Sequence, residues 1–219
     1  MHGGAYVQGF NKFHWQFLAW LVKATGCTVT APDYPLAPEH THKEAFKMVT
    51  ALYEQLLLTV SPGNLILMGD SSGGGLALAL AQKLRNEQIV QPSQIVLLSP
   101  WLDITLTNPE ISSIAKHDPF LDKNSLRKAG SLYAGEASTN DYLLSPVNGS
   151  LEGLGRISIF IGSKEILIAD ARKLKSLAER NGIEIDFYEY RDMVHAWVFL
   201  NLPESKKARR QICDLIRRC

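Results

Sequence analysis

Cysteine is scarce: the 219-residue chain has three, Cys27, Cys213 and Cys219, with no C-x-x-C pair and no even framework. That excludes a disulfide-stapled fold and a thiolate zinc site, and it predicts free thiols in a reducing cytoplasm. Charge of one sign is also lacking. Lys+Arg number 23 against 22 Asp+Glu, a net +1, so no strong field steers nucleic acid or anionic lipid. No apolar run reaches the roughly 18 residues of a transmembrane helix. No basic segment followed by an apolar block opens the sequence, so no signal peptide is expected. Repeats, low-complexity stretches and a Walker-type phosphate loop are absent, as is any metal-ligand spacing. His40 and His42, two apart, do not share a helix face.

What remains is an ordinary globular composition, 46% hydrophobic and 21% charged, long enough to bury a core as one domain over residues 1–219. Short β-branched runs alternate with amphipathic stretches. Strands are predicted at Cys27–Pro32, Asn64–Gly69, Gln94–Ser99, Ile157–Gly162 and Glu184–Tyr190. Helices are predicted over 11–25, 39–59, 72–86, 168–181 and 196–218. Strands separated by helices of ten or more residues imply an α/β protein, a mostly parallel sheet with helices on both faces. Residues 100–154 interrupt the alternation with turn signals and one short helix near 122–134, which reads as an insertion or lid. The basic cluster Lys206, Lys207, Arg209, Arg210, Arg217 and Arg218 reads as a solvated face of the last helix.

The sharpest local feature is Gly69-Asp70-Ser71-Ser72-Gly73, a G-x-S-x-G where a strand becomes a helix. A serine at the tip of such a turn holds a strained backbone, and a Cβ at either glycine would collide with the approaching strand and helix. The amide of Ser72 falls at a helix N-terminus, where it can donate to a developing oxyanion. A nucleophilic serine needs a base and the base an orienting acid. Of six histidines, His195 follows the last strand, at the carboxyl end of the sheet where catalytic groups of parallel sheets converge. For the acid, the loop after strand 157–162 offers Glu165 and Asp170. Glu165, three residues past the strand, is favoured, and Asp170 reads as a helix-cap or surface carboxylate. Trp101, Phe120 and Trp197 flank this region as pocket-lining or core aromatics.

Three further segments carry a family likeness. His2-Gly3-Gly4-Ala5 resembles the H-G-G-G oxyanion loop of the hormone-sensitive-lipase-like branch of α/β-hydrolases. The turn at Ser71 resembles that branch's G-D-S-A-G-G, and Asp33-Tyr34-Pro35-Leu36-Ala37-Pro38-Glu39-His40 resembles its D-Y-R-L-A-P-E-H. Pro100-Trp101-Leu102-Asp103 is similar to the family's S-P-W-x-D. The order Ser71, Glu165, His195 is that of the family's nucleophile, acid and base.

The resemblance implies a serine carboxylester hydrolase acting on short-acyl esters without a cofactor. Ser71 would be the nucleophile, His195 the base and Glu165 the acid, with an oxyanion hole from amides at Gly3, Gly4 and Ser72. Which two of the Gly3–Ala5 amides point inward stays open. Asp33 and Leu36–Glu39 are expected to be architectural, and a homodimer through the edge strand Glu184–Tyr190 is an arrangement the family allows. In the family the H-G-G-G loop follows a third strand that lies inside the sheet. Here only Met1 precedes His2, so the resemblance implies a chain lacking the first strands and the N-terminal cap. On that reading Cys27–Pro32 faces a one-strand gap beside Asn64–Gly69, and the oxyanion loop loses its anchor. A truncated, catalytically weak or silent family member that binds small acyl ligands is the alternative expectation.

Overall fold

A computed structural model describes residues 1–217. Cys219 and Arg218, expected as a free thiol and as part of a basic helix face, lie outside the described residues. Four strands, β1 (Ile66–Asp70), β2 (Gln94–Leu98), β3 (Arg156–Gly162) and β4 (Ile185–Tyr190), form one sheet in the order β1-β2-β3-β4. All three pairings are parallel. The helices are α1 (Lys12–Thr25), α2 (His42–Leu57), α3 (Ser72–Asn86), α4 (Ile111–Ile114), α5 (Lys123–Ala134), α6 (Ile168–Arg180) and α7 (Pro203–Ile216).

Side-chain alternation along the strands builds two apolar layers. Ile95 and Leu97 of β2, with Ile157, Ile159 and Ile161 of β3, join the layer that holds α2, α3 and α6. Val96, Leu98 and Phe160 point the other way, onto α1 and α7. With both faces covered, β2 is buried along its whole length, as its unbroken apolar run requires. The central helix α3 is apolar nearly all round and buries Leu76, Leu78, Leu80 and Leu84 to 1% exposure or less. Each such side chain contributes about 1.5–3 kcal/mol relative to an exposed one.

Local sequence sets the ends of these elements. Asn11 caps α1 through its side chain, and Gly26 ends it at φ 75°, a left-handed conformation that favours glycine. Thr41 and Glu44 form a reciprocal capping box at the start of α2, so that helix begins at His42 and not at Glu39.

Two expectations from the sequence are corrected. Cys27–Pro32 is not a strand of the sheet. From Thr28 to Asp33 no main-chain N–H or C=O finds a hydrogen-bond partner among the described residues. The segment runs alongside β1 across a groove, and a β-branched composition cannot make a strand without a neighbour to pair with. The last helix does not begin at 196. Trp197–Phe199 makes a single 3-10 turn, Leu202 is extended, and α7 starts at Pro203. Proline disfavours helical backbone in the residue before it and fits the first helical position itself.

The 99–155 connection between β2 and β3 carries α4 and α5. Its Trp101, Leu102, Ile104 and Leu106 are buried in the layer around α3. Trp101 lies near Tyr6 and Trp197 near Tyr190, each fully buried in separate layers, so both are core. Phe120 is exposed.

Candidate active site

The turn from β1 into α3 puts Ser71 at φ 51°, ψ −122°, a conformation that costs a non-glycine residue about 1–3 kcal/mol. The surrounding chain holds it there. The Ser71 amide donates to Leu98 O at 2.9 Å, and its carbonyl accepts from Trp101 N at 2.8 Å and Gly74 N at 3.0 Å. The two glycines of the motif are required by close approach. A Cβ on Gly69 would lie 2.1 Å from Gly73 O, and one on Gly73 would lie 2.4 Å from the carbonyls of Met1 and His2.

The loops after β2, β3 and β4 supply the rest. His195, beyond β4, places Nε2 3.0 Å from Ser71 Oγ and Nδ1 2.6 Å from Glu165 Oε2. Glu165 is completely buried in the loop after β3. Its other oxygen, Oε1, accepts from Ser99 Oγ at 2.7 Å and from the Gly162 amide at 2.8 Å. Ser99 Oγ also accepts from Ala196 N at 3.2 Å, next to His195. Burial alone would lower the His195 pKa, but the charge and hydrogen bond of Glu165 outweigh it, with smaller contributions from Asp70 and Asp118, and raise it above 6.5.

Asp170 lies elsewhere. It sits in the first turn of α6 and accepts from Asn108 Nδ2 at 3.0 Å. It is 1% exposed, which corrects the expectation of a cap or surface carboxylate. Burial pushes its pKa up to about 6.

The Met1–Gln8 loop passes over the N-terminus of α3 and is anchored, contrary to expectation. Met1 N donates to Met68 O at 2.6 Å, and Asp70 N donates to Met1 O at 3.4 Å. The Tyr34 hydroxyl donates to His2 O at 2.6 Å, Tyr6 N to Ser72 Oγ at 3.3 Å, and Ala37 N to Tyr6 O at 2.9 Å. The architectural role expected of the 33–39 segment thus falls on Tyr34 and Ala37, while Asp33 is exposed. Gly3 N donates to Asp70 Oδ1 at 2.9 Å, so this amide, expected to serve the oxyanion hole, is already committed. The amides of Gly4 and Ala5 have no acceptor among the described residues. Ser72, the first residue of α3, has no intrahelical acceptor for its amide.

The structure therefore brings Ser71, His195, Glu165, Gly4 and Ser72 to one end of the sheet. Sequence reading passed over Ser99, Asp70 and Asp118. Ser99 directly precedes the noted Pro100-Trp101-Leu102-Asp103. Asp118 lies in the 100–154 interruption with nothing local to single it out, and its Oδ2 accepts from Ile166 N at 2.8 Å, beside Glu165. Among the described residues no cluster of His, Cys, Asp or Glu could hold a metal ion.

A sheet of parallel strands with a strained serine at the carboxyl end of one strand and a buried carboxylate–histidine pair on later loops defines an α/β-hydrolase architecture. The sequence profile of the alpha/beta hydrolase fold matches residues 1–199, and the chain belongs to that family. An esterase of Acinetobacter venetianus is 34% identical over 98% of this chain and 72% of its own. An acetyl-hydrolase of Streptomyces hygroscopicus is 34% identical over 95% of this chain and 71% of its own. Among solved structures, an esterase from the bacterial hormone-sensitive lipase family superposes with TM-score 0.94 at 34% identity, over the whole of this chain and 74% of its own.

Proposed function

We propose that this chain is a serine carboxylester hydrolase of the α/β-hydrolase family, acting on short-acyl esters through Ser71, His195 and Glu165. The observation that carries this reading is the continuous line from Glu165 Oε2 through both imidazole nitrogens to Ser71 Oγ, with steps of 2.6 and 3.0 Å. Ser71 Oγ attacks the ester carbonyl as His195 Nε2 takes its proton. Glu165 holds the Nδ1–H tautomer and stabilises the imidazolium. The tetrahedral oxyanion is met by the amides of Gly4, Ala5 and Ser72, each worth about 3–4 kcal/mol of barrier. His195 returns the proton to the departing alkoxide, leaving an acyl-Ser71 ester. Water then attacks the acyl carbon as His195 takes its proton, and His195 returns that proton to Ser71 Oγ as the acyl–oxygen bond breaks, releasing the acid and free Ser71.

The preference for short acyl chains rests on family resemblance and fits a relative named acetyl-hydrolase. Residues 100–154 serve as a lid-like insertion that reaches the site through Asp118. A homodimer would pair through β4, an edge of the sheet.

The test is a fluorophosphonate probe read by intact mass, with p-nitrophenyl butyrate turnover alongside. One adduct is expected on the chain and none on Ser71→Ala, with turnover abolished in Ser71→Ala and His195→Ala. An adduct on Ser71→Ala, or turnover retained in either variant, refutes the assignment. A soluble, folded chain that takes no adduct would point to the silent, ligand-binding alternative.

A further inference from the structure

The net charge of +1 is a sum over the whole chain, and the fold separates its signs. α1 and α7 lie side by side on one face of the sheet, where Phe17, Leu21, Ala208 and Ile212 pack on Val96, Leu98 and Phe160. Two contacts tie the helices together. Arg209 Cζ lies over the rings of Phe17 and Trp20, 5.8 and 5.2 Å from their centroids. Arg217 Nη2 donates to Ala24 O at 3.0 Å. From Lys12 to Thr25 and from Pro203 to Arg217 there are seven Lys and Arg against two acids, Glu204 and Asp214. This layer therefore carries +5 on a chain of net +1, and the rest of the chain is net acidic.

The cations stand on the outer side of the layer. His14, Phe17 and Leu21 are buried, so the helical period turns Lys12, Trp15 and Lys23 outward. On α7 and just beyond it, Lys206, Lys207, Arg210 and Arg217 are exposed. None of these six cations is ion-paired among the described residues. Large apolar side chains of α1 share the water with them: Trp15 is 55% exposed, Val22 43% and Phe13 42%. One such residue alone would be ordinary. Three within one helix that has no acidic residue, beside a run of unpaired cations, form an amphiphilic surface. The first turn of this helix borders the nucleophile turn, since His14 Nε2 lies 3.3 Å from Asp70 Oδ2.

We infer that the α1–α7 face docks on a bilayer that carries anionic lipid. The Lys and Arg heads meet the lipid headgroups, and Phe13, Trp15 and Val22 enter the boundary with the acyl chains. Lys and Arg set beside Trp and apolar residues are the composition of a helix that lies in a membrane interface. Long cationic side chains also reach headgroups while their stems cover apolar surface. A nucleic acid would meet the same cations, but its phosphate backbone offers nothing to Val22. Docking on this face holds the site beside α1 close to the lipid. The inference rests on charge and exposure and is independent of the hydrolase reading.

The test is co-sedimentation of the full chain with phosphatidylcholine vesicles holding about 30% phosphatidylglycerol, against phosphatidylcholine alone, at about 0.1 M and about 0.5 M salt. Binding is expected to the anionic vesicles, and to be at least about tenfold weaker with neutral vesicles or at the higher salt. Each Lys or Arg at such a surface is worth about fivefold in affinity, so Lys206→Glu/Arg210→Glu, folded by circular dichroism, should lose about 25-fold or more. Brominated lipid in the anionic vesicles should quench tryptophan emission, and Trp15→Phe should remove most of that quenching, because Trp101 and Trp197 are buried. No sedimentation with anionic vesicles overturns the inference, as does equal binding to neutral ones. So does a charge reversal that leaves affinity within about threefold, which would put the contact on another face. Absent quenching, or quenching unmoved by Trp15→Phe, overturns it as well. Tighter binding to a mixed-sequence DNA duplex than to the anionic vesicles, at equal phosphate, would assign the face to nucleic acid and also overturn it.

Discussion

Replacing Glu165 by glutamine tests the chemistry of the site with almost no change in shape. The carboxylate makes three hydrogen bonds. Oε1 accepts from two donors, Ser99 Oγ and Gly162 N, and Oε2 faces His195 Nδ1. A glutamine has only one oxygen, and the two donors fix it at the Oε1 position. Its amide nitrogen must then face Nδ1 and donate to it. His195 is forced into the Nε2–H tautomer, which donates to Ser71 Oγ and cannot take its proton. An inverted tautomer of this kind costs about 10^4-fold in turnover in serine proteases, equivalent to roughly 5 kcal/mol of barrier.

The variant also loses the negative charge that raises the His195 pKa. In the parent chain kcat/KM for p-nitrophenyl butyrate should therefore fall as pH drops through a midpoint above 6.5, because the base must be neutral. In Glu165→Gln the residual activity should fall with a midpoint displaced downward. Circular dichroism should show both proteins folded. A Glu165→Gln variant that keeps more than a tenth of the activity, or an acid limb unmoved by the substitution, refutes the reasoning. So does an equal loss in Asp170→Asn, which would make Asp170 the acid.

Asp170→Asn has an expected outcome of its own. Burial raises the Asp170 pKa from 3.8 to about 6, so between those values the folded state binds more protons than the unfolded one. Stability therefore falls as pH rises through that window, by up to about 3 kcal/mol from this group; urea melts at pH 4 and pH 7 should show the fall shrink in Asp170→Asn, and an unchanged pH dependence refutes it. Gly73→Ala puts a Cβ 2.4 Å from the carbonyls of Met1 and His2, so the anchored loop must move; a lower Tm and at least tenfold lower kcat are expected, and parental values of both would contradict the close approach. Tyr34→Phe removes the donor to the buried His2 carbonyl and should cost about 1–3 kcal/mol in urea unfolding; no measurable change would show that bond to be dispensable. Asp118→Asn can leave an amide facing Ile166 N–H where a carboxylate oxygen accepted it, and a destabilisation of about 1–3 kcal/mol with reduced turnover is expected; parental stability and turnover would free the insertion from any role beside Glu165.

Much of this molecule was legible in the order of its residues. The glycines at 69 and 73 and the serine between them specify a strained strand-to-helix turn, because only a side chain without Cβ fits those approaches. The apolar runs at β1 to β3 declare strands, since strands covered on both faces need near-continuous hydrophobicity. Asn11 marks the start of α1 by chemistry that acts within a few residues; Thr41 and Pro203 act as locally, yet the periodicity pointed to starts at 39 and 196, and the structure moved them to His42 and Pro203. Tertiary structure decided the rest, because a main-chain group or a buried carboxyl is defined by its neighbours in space. Cys27–Pro32 has the composition of a strand and is none, as among the described residues nothing lies beside it to bond with. Gly3 and Gly4 are adjacent and identical, yet one amide is taken by Asp70 and the other is not. Glu165 and Asp170 were two carboxylates on one loop and helix start. Ser99 and His195, from two distant stretches of chain, converge with the nearby Gly162 amide on the first, while the second turns away to Asn108.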